Sequence, residues 1–150
     1  MNVVIFGCGR TGASLALRLA KEHKVTVIEQ NAEALKRLGH RNLCKTIIGS
    51  GLEEDILEKA GLSHADAFFA MTRGDNSNIM AAQIVRMKYK TPKICIRIAD
   101  PYRALTYSQL GYFCINACTL ISGIMQDWFL EKPYQPIDIY NKLPKEMEIF

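Results

Sequence analysis

The sequence contains no stretch approaching the roughly 18 consecutive apolar residues that a membrane-spanning helix requires. No direct membrane insertion is therefore expected, and any membrane connection is expected to run through a partner. No secretory leader is expected before the first strand either, because the apolar run there is short and a glycine turn interrupts it. The five cysteines, Cys8, Cys44, Cys95, Cys114 and Cys118, are an odd count with no C-x-x-C pair. That suits neither a disulfide framework nor a zinc site. Several lie in apolar runs, where free thiols act as small hydrophobes, so a reduced, cytoplasmic protein is expected. The charges nearly balance, with 19 Lys and Arg against 15 Asp and Glu. That excess is too small and too scattered along the chain to indicate nucleic-acid binding. The three histidines, His23, His40 and His64, have no Ser, Cys or carboxylate at a motif spacing, so no catalytic constellation is expected. Proline is sparse until the end, where Pro133, Pro136 and Pro144 make residues 131–150 an extended tail rather than a long helix.

What the chain does have is concentrated in its first thirty residues. Val3-Val4-Ile5-Phe6 reads as a short strand and Gly7-Cys8-Gly9-Arg10-Thr11-Gly12 as a glycine turn. A helical segment follows to about Glu22, and then a second β-branched strand, Val25-Thr26-Val27-Ile28, ends at Glu29. Gly7 permits the tight turn, Gly9 lets backbone approach a pyrophosphate, and Gly12 lets the helix pack closely on the sheet. Unpaired N–H groups at the helix start face the phosphates. Glu29 stands where a carboxylate accepts hydrogen bonds from a ribose diol. The competing reading is a strand-helix-strand unit whose glycines serve packing alone.

Further strands are expected at Cys44–Ile48, Ala67–Met71, Ile94–Ile98 and Phe113–Asn116, with helices between them. Asn31 and Asp100-Pro101 read as helix starts, and Gly39, Gly61 and Gly111 as stops. Glu53, Glu54 and Asp55 crowd one helix start, where carboxylates suit the helix dipole better than they suggest a metal. The last helix is expected over Thr119–Leu130. Six strands alternating with helices specify a doubly wound parallel α/β sheet of order 3-2-1-4-5-6, a Rossmann-like fold with helices on both faces. With 150 residues the chain makes one nucleotide-binding domain, 1–130, followed by the tail.

Four places resemble a known family, the nucleotide-binding regulatory domain of potassium transporters and channels called RCK or KTN, also the TrkA N-terminal domain. They are Val4 to Gly12, Val27-Ile28-Glu29, Ala70-Met71-Thr72-Arg73-Gly74-Asp75-Asn76-Ser77-Asn78, and Arg97 through Asp100-Pro101 to Leu110-Gly111. The third is the most telling, with its threonine, its glycine and aspartate turn, and its asparagine entering a helix. The resemblance covers about residues 1 to 130. It implies nucleotide contacts from Gly7, Cys8, Gly9, Arg10, Thr11 and Gly12, with Arg10 near the distal phosphates. It also implies contacts from Glu29, Gln30 and Asn31 after the second strand, from Gly49 and Ser50 after the third, and from Met71, Thr72 and Asn78 around the fourth. Two positions depart from the family: Ser50 stands where an aspartate is common, and Asn76 where a glutamate is common. A separate C-terminal ligand-binding subdomain, which many relatives carry, is not expected within these 150 residues.

The resemblance implies a cytoplasmic, non-enzymatic regulatory subunit of a potassium uptake or channel system that senses an adenine nucleotide. The ligand class is AMP, ADP, ATP or NAD(H), with NADP disfavoured by Glu29. The expected partners are a second copy of the chain in a homodimer, larger rings of such dimers, and a membrane-embedded potassium transporter or channel subunit. Two other readings remain open: a dinucleotide-binding subunit of an NAD-dependent oxidoreductase, and a thiol sensor at Cys8. On the last helix, Leu120, Ile124 and Phe129 cannot share one face with Ile121, Met125 and Trp128 at 100° per residue, which makes it the expected self-association surface.

Overall fold

Strand pairing in the computed structural model, which describes residues 1–147, follows the alternation of apolar runs and glycine stops. The strands are β1 (Asn2–Phe6), β2 (Lys24–Glu29), β3 (Lys45–Ile48), β4 (Ala67–Ala70), β5 (Lys93–Arg97) and β6 (Phe113–Ile115). They form one sheet in the order β3-β2-β1-β4-β5-β6, and each pairing from β3 across to β5 is parallel. The flanking helices are α1 (Arg10–Leu19), α2 (Ala32–Leu35), α3 (Glu54–Lys59), α4 (Asp75–Lys88), α5 (Pro101–Gln109), α6 (Ala117–Phe129) and α7 (Ile137–Tyr140). Parallel strands covered on both faces read as continuous apolar runs. Val3 to Phe6 of β1 and Phe68 of β4 are accordingly buried.

By packing, the chain divides into two compact units, Met1–Ile96 and the remainder from Arg97 onward. In the first, α1 lies on the sheet through Gly12, Ala13 and Ala16. Leu15, Leu19 and Ala20, at helical spacing from Gly12 and Ala16, are half-buried. The helix ends at Leu19, earlier than expected, because the chain must turn into β2. There the Leu19 carbonyl accepts the N–H groups of both Glu22 and His23. Asn31 caps α2, its side chain accepting from the Glu33 N–H at 3.0 Å. Gly39 and Gly61 then end their turns with positive φ.

In the second unit, the Asp100 carboxylate accepts from the Tyr102 and Arg103 N–H groups, with Pro101 at the first helical position. Asn116 does not extend the sixth strand. Its fully buried side chain accepts from the Thr119 N–H at 2.9 Å and donates to the Ile98 and Ala99 carbonyls. That cap starts α6 at Ala117, two residues before the position expected from periodicity. Beyond α6 the tail contains the single turn α7. The Tyr140 hydroxyl donates to Asp127 of α6 and accepts from the Gln135 N–H, both at 2.7 Å. Among the described residues no helix is long and apolar enough to cross a membrane.

Candidate functional site

The strand order reverses between β1 and β4, and ligands of open parallel sheets settle outside the carboxyl ends of the strands at such a point. The glycine turn leaves β1 there. Gly7 has φ +110°, and a side chain on it would press on the backbone of Met71 and Thr72, at 2.8 Å from the Thr72 nitrogen. A Cβ on Gly12 would lie 2.1 Å from the Gly7 carbonyl oxygen, so α1 can start this close to the turn only with glycine. A Cβ on Gly9 would meet no other group within 4 Å, and Gly9 caps α1 without any side-chain bond, leaving the helix start open to an anion. Arg10 and Thr11, on the first turn, are exposed.

Glu29 closes β2 beside this turn. One carboxylate oxygen accepts the Cys8 N–H at 2.7 Å and the other accepts the Asn31 N–H at 2.9 Å. A carboxylate has about four lone-pair positions, so acceptor capacity remains for a diol after both bonds. Arg37, in the 3-10 turn after α2, donates to the Cys8 carbonyl at 3.3 Å. The Cys8 peptide is thus held on both sides, by Glu29 and by Arg37. Sequence reading missed Arg37, since nothing in its local spacing announces a reach back to residue 8. Burial, and next the Glu29 charge, push the Cys8 thiol above its ordinary range, with Arg37 opposing. A protonated, packed thiol is a poor nucleophile, which counts against the thiol-sensor reading.

After β3, Gly49 is half-buried, and Ser50 is turned inward with its hydroxyl accepting from the Leu52 N–H at 3.2 Å. After β4, Met71 and Thr72 are half-buried and border the Gly7 turn. Asn78, fully buried in the first half of α4, aims its side chain at Thr72. Its amide oxygen accepts from the Thr72 N–H and hydroxyl, at 2.8 and 2.7 Å, and its amide nitrogen donates to the Thr72 carbonyl at 3.0 Å. The fold therefore gathers the glycine turn, Glu29 to Asn31, Gly49-Ser50 and Met71-Thr72 at the carboxyl ends of four adjoining strands. Exposed Gln30 and Asn31 stand at its rim, although the Asn31 side chain is already engaged as a helix cap. Among the described residues there is no group of three or more His, Cys, Asp or Glu placed to hold a metal.

The model of the TrkA-N domain family matches residues 3–116. A Trk system potassium uptake protein TrkA of Streptomyces coelicolor is 41% identical over 112 residues, covering 74% of this chain and 50% of that protein. The chain thus spans about half the length of that relative. Among solved structures, the TrkA-N domain of the inner membrane protein ybaL from Escherichia coli superposes with a TM-score of 0.76 at 19% identity, covering 85% of this chain and 95% of that one. The Kef C-terminal domain of Shewanella denitrificans in its AMP-bound form gives a TM-score of 0.70 at 20% identity, covering 92% and 85%. At such identities the two structures bear on the fold alone.

Proposed function

This chain belongs to the TrkA-N domain family, and from that premise we propose that it is the nucleotide-sensing regulatory part of a potassium uptake or channel system. The observation that carries the reading is the glycine turn. Its helix start is open, its Cys8 peptide is held by Glu29, and that carboxylate keeps acceptor capacity toward a ribose. The ligand is an adenine nucleotide, AMP, ADP, ATP or NAD(H), with phosphates at the start of α1 and the ribose on Glu29. The AMP in the Kef domain supports this class. Residues 1–130 form the nucleotide-binding domain, and 131–150 its tail.

Two copies pair through α6, and nucleotide binding acts on that assembly. It can do so only by as much as the ligand's affinities for two conformations differ. A membrane-embedded transporter or channel subunit reads the result from the cytoplasmic side.

Calorimetric titration with AMP, ADP, ATP, NAD, NADH and NADP tests the reading. Saturable binding of at least one adenosine ligand is expected, with NADP weak because its 2′-phosphate would face the Glu29 carboxylate. Glu29→Ala should weaken every ligand that has a free ribose diol. Equal affinities for NAD and NADP would remove Glu29 from the ribose site. Nicotinamide-dependent turnover would move the protein to the oxidoreductases.

A further inference from the structure

At the amino ends of the strands, opposite the nucleotide edge, β2, β3 and β5 each open on an exposed lysine, Lys24, Lys45 and Lys93. The parallel registers set Lys24 beside Asn2, Lys45 beside Thr26 and Lys93 beside Ala67, so the three charges stand along one edge of the sheet. A groove of ≈ 410 Å³ lies on this edge, with Val4 and Val25 in its lining and Lys24, Lys45, His64 and Leu43 around it. Leu43 is 47% exposed in the loop entering β3, between Arg41 and Lys45. From Ala34 to Leu52 the chain carries Lys36, Arg37, Arg41 and Lys45 and no acidic residue. The carboxylate of Asp66, one residue before β4, is engaged by the Asn2 N–H at 2.7 Å. Lys45 gives one of its donors to the Lys59 carbonyl at 2.9 Å. Among the described residues neither Lys24 nor Lys93 is in an ion pair.

We propose that this edge docks on the surface of a bilayer rich in acidic phospholipid. Lys24, Lys45 and Lys93 meet lipid phosphates, the groove takes a headgroup, and Leu43 enters the interfacial zone. Charge complementarity selects this occupant. Strongly hydrated ammonium groups around an apolar groove and an uncovered leucine suit a surface that is negative everywhere and apolar just beneath. A folded acidic partner would call instead for guanidinium forks in fixed geometry. The contact is superficial, made without a spanning segment, and adds a direct membrane contact to the one expected through a partner.

Flotation of the full chain with vesicles of equimolar phosphatidylcholine and phosphatidylglycerol, and with phosphatidylcholine alone, tests the proposal. Co-flotation is expected with the acidic vesicles only. It should fade as salt shortens the Debye length from about 10 Å at 0.1 M to about 3 Å at 1 M. Each lysine near the surface contributes about fivefold, so Lys24→Gln, Lys45→Gln, Lys93→Gln should lower partitioning about a hundredfold. The matched variant Arg103→Gln, Lys132→Gln, Lys145→Gln removes the same charge from the other compact unit and should retain binding, and Leu43→Ser should weaken it. Absence of flotation, equal flotation on both vesicle types, or equal losses in the two triple variants would overturn the proposal. The nucleotide affinities of the lysine variant should match the wild type, which keeps this outcome separate from that of the nucleotide site.

Discussion

Arg10 stands exposed on the first turn of α1, beside the open helix start, and under the proposed function that position would let it read phosphate number. A guanidinium that touches ADP or ATP but not AMP contributes about 1.5 to 3 kcal/mol, the range for hydrogen bonds to charged groups. Arg10→Ala should therefore weaken ATP and ADP by that amount in a calorimetric titration and leave AMP nearly unchanged. An equal loss for AMP and ATP would reduce Arg10 to a solvated turn residue. Asn78 acts differently, through Thr72. Its side chain makes three hydrogen bonds to that residue while fully buried, and Thr72 in turn borders the Gly7 turn. Asn78→Ala should cost roughly 2 to 4 kcal/mol, since each bond is worth about 1 and buried partners are left unsatisfied. A lower urea midpoint at unchanged slope would show it. An unchanged midpoint would mean that the β4 turn is held by other contacts.

At the scale of elements, α6 and the tail are joined by a close approach that only glycine allows. A Cβ at Gly123 would lie 2.6 Å from the Tyr140 ring, whose hydroxyl bridges Asp127 and the Gln135 N–H. Gly123→Ala sets two effects against each other. Helix propensity favours alanine by about 1 kcal/mol, while overpacking costs about 1 to 3 kcal/mol. The net change in melting temperature should be small, because the tyrosine can relieve the clash by leaving. The expected signature is thus faster hydrogen exchange and faster proteolysis within Gln135–Asn141, with α6 itself no less helical. Unaltered protection of that segment would show that the latch does not depend on the approach of Tyr140.

At the scale of the molecule, the tail covers the Gly123 and Asp127 side of α6 and leaves a stripe uncovered. Ile121, Met125 and Trp128 are 50%, 63% and 72% exposed, with Phe129 beside them at 76%. Apolar area of this kind on one helix marks an interaction surface. The chain should sediment as a dimer at micromolar concentration, and Trp128→Glu, Phe129→Glu should convert it to a monomer. A monomeric wild type would refute the pairing, and a dimeric variant would move the interface elsewhere.

The order and kind of the elements were legible in the sequence because each depends on local chemistry. Apolar runs of strand length, Asn31 and Asp100 as caps, and Gly39 and Gly61 as stops act within a few residues of themselves. The places of the glycine turn, directly after β1, and of Glu29, at the end of β2, were legible for the same reason. What the tertiary structure decided involves residues distant in sequence. Arg37 reaches back to Cys8 across 29 residues, and Asn116 leaves the last strand because its side chain finds the Ile98 and Ala99 carbonyls. Lysines scattered at positions 24, 45 and 93 become one charged edge through strand register. Periodicity and capping report what a residue does to its neighbours in the chain, whereas these contacts exist only once the parallel sheet has set separate segments side by side.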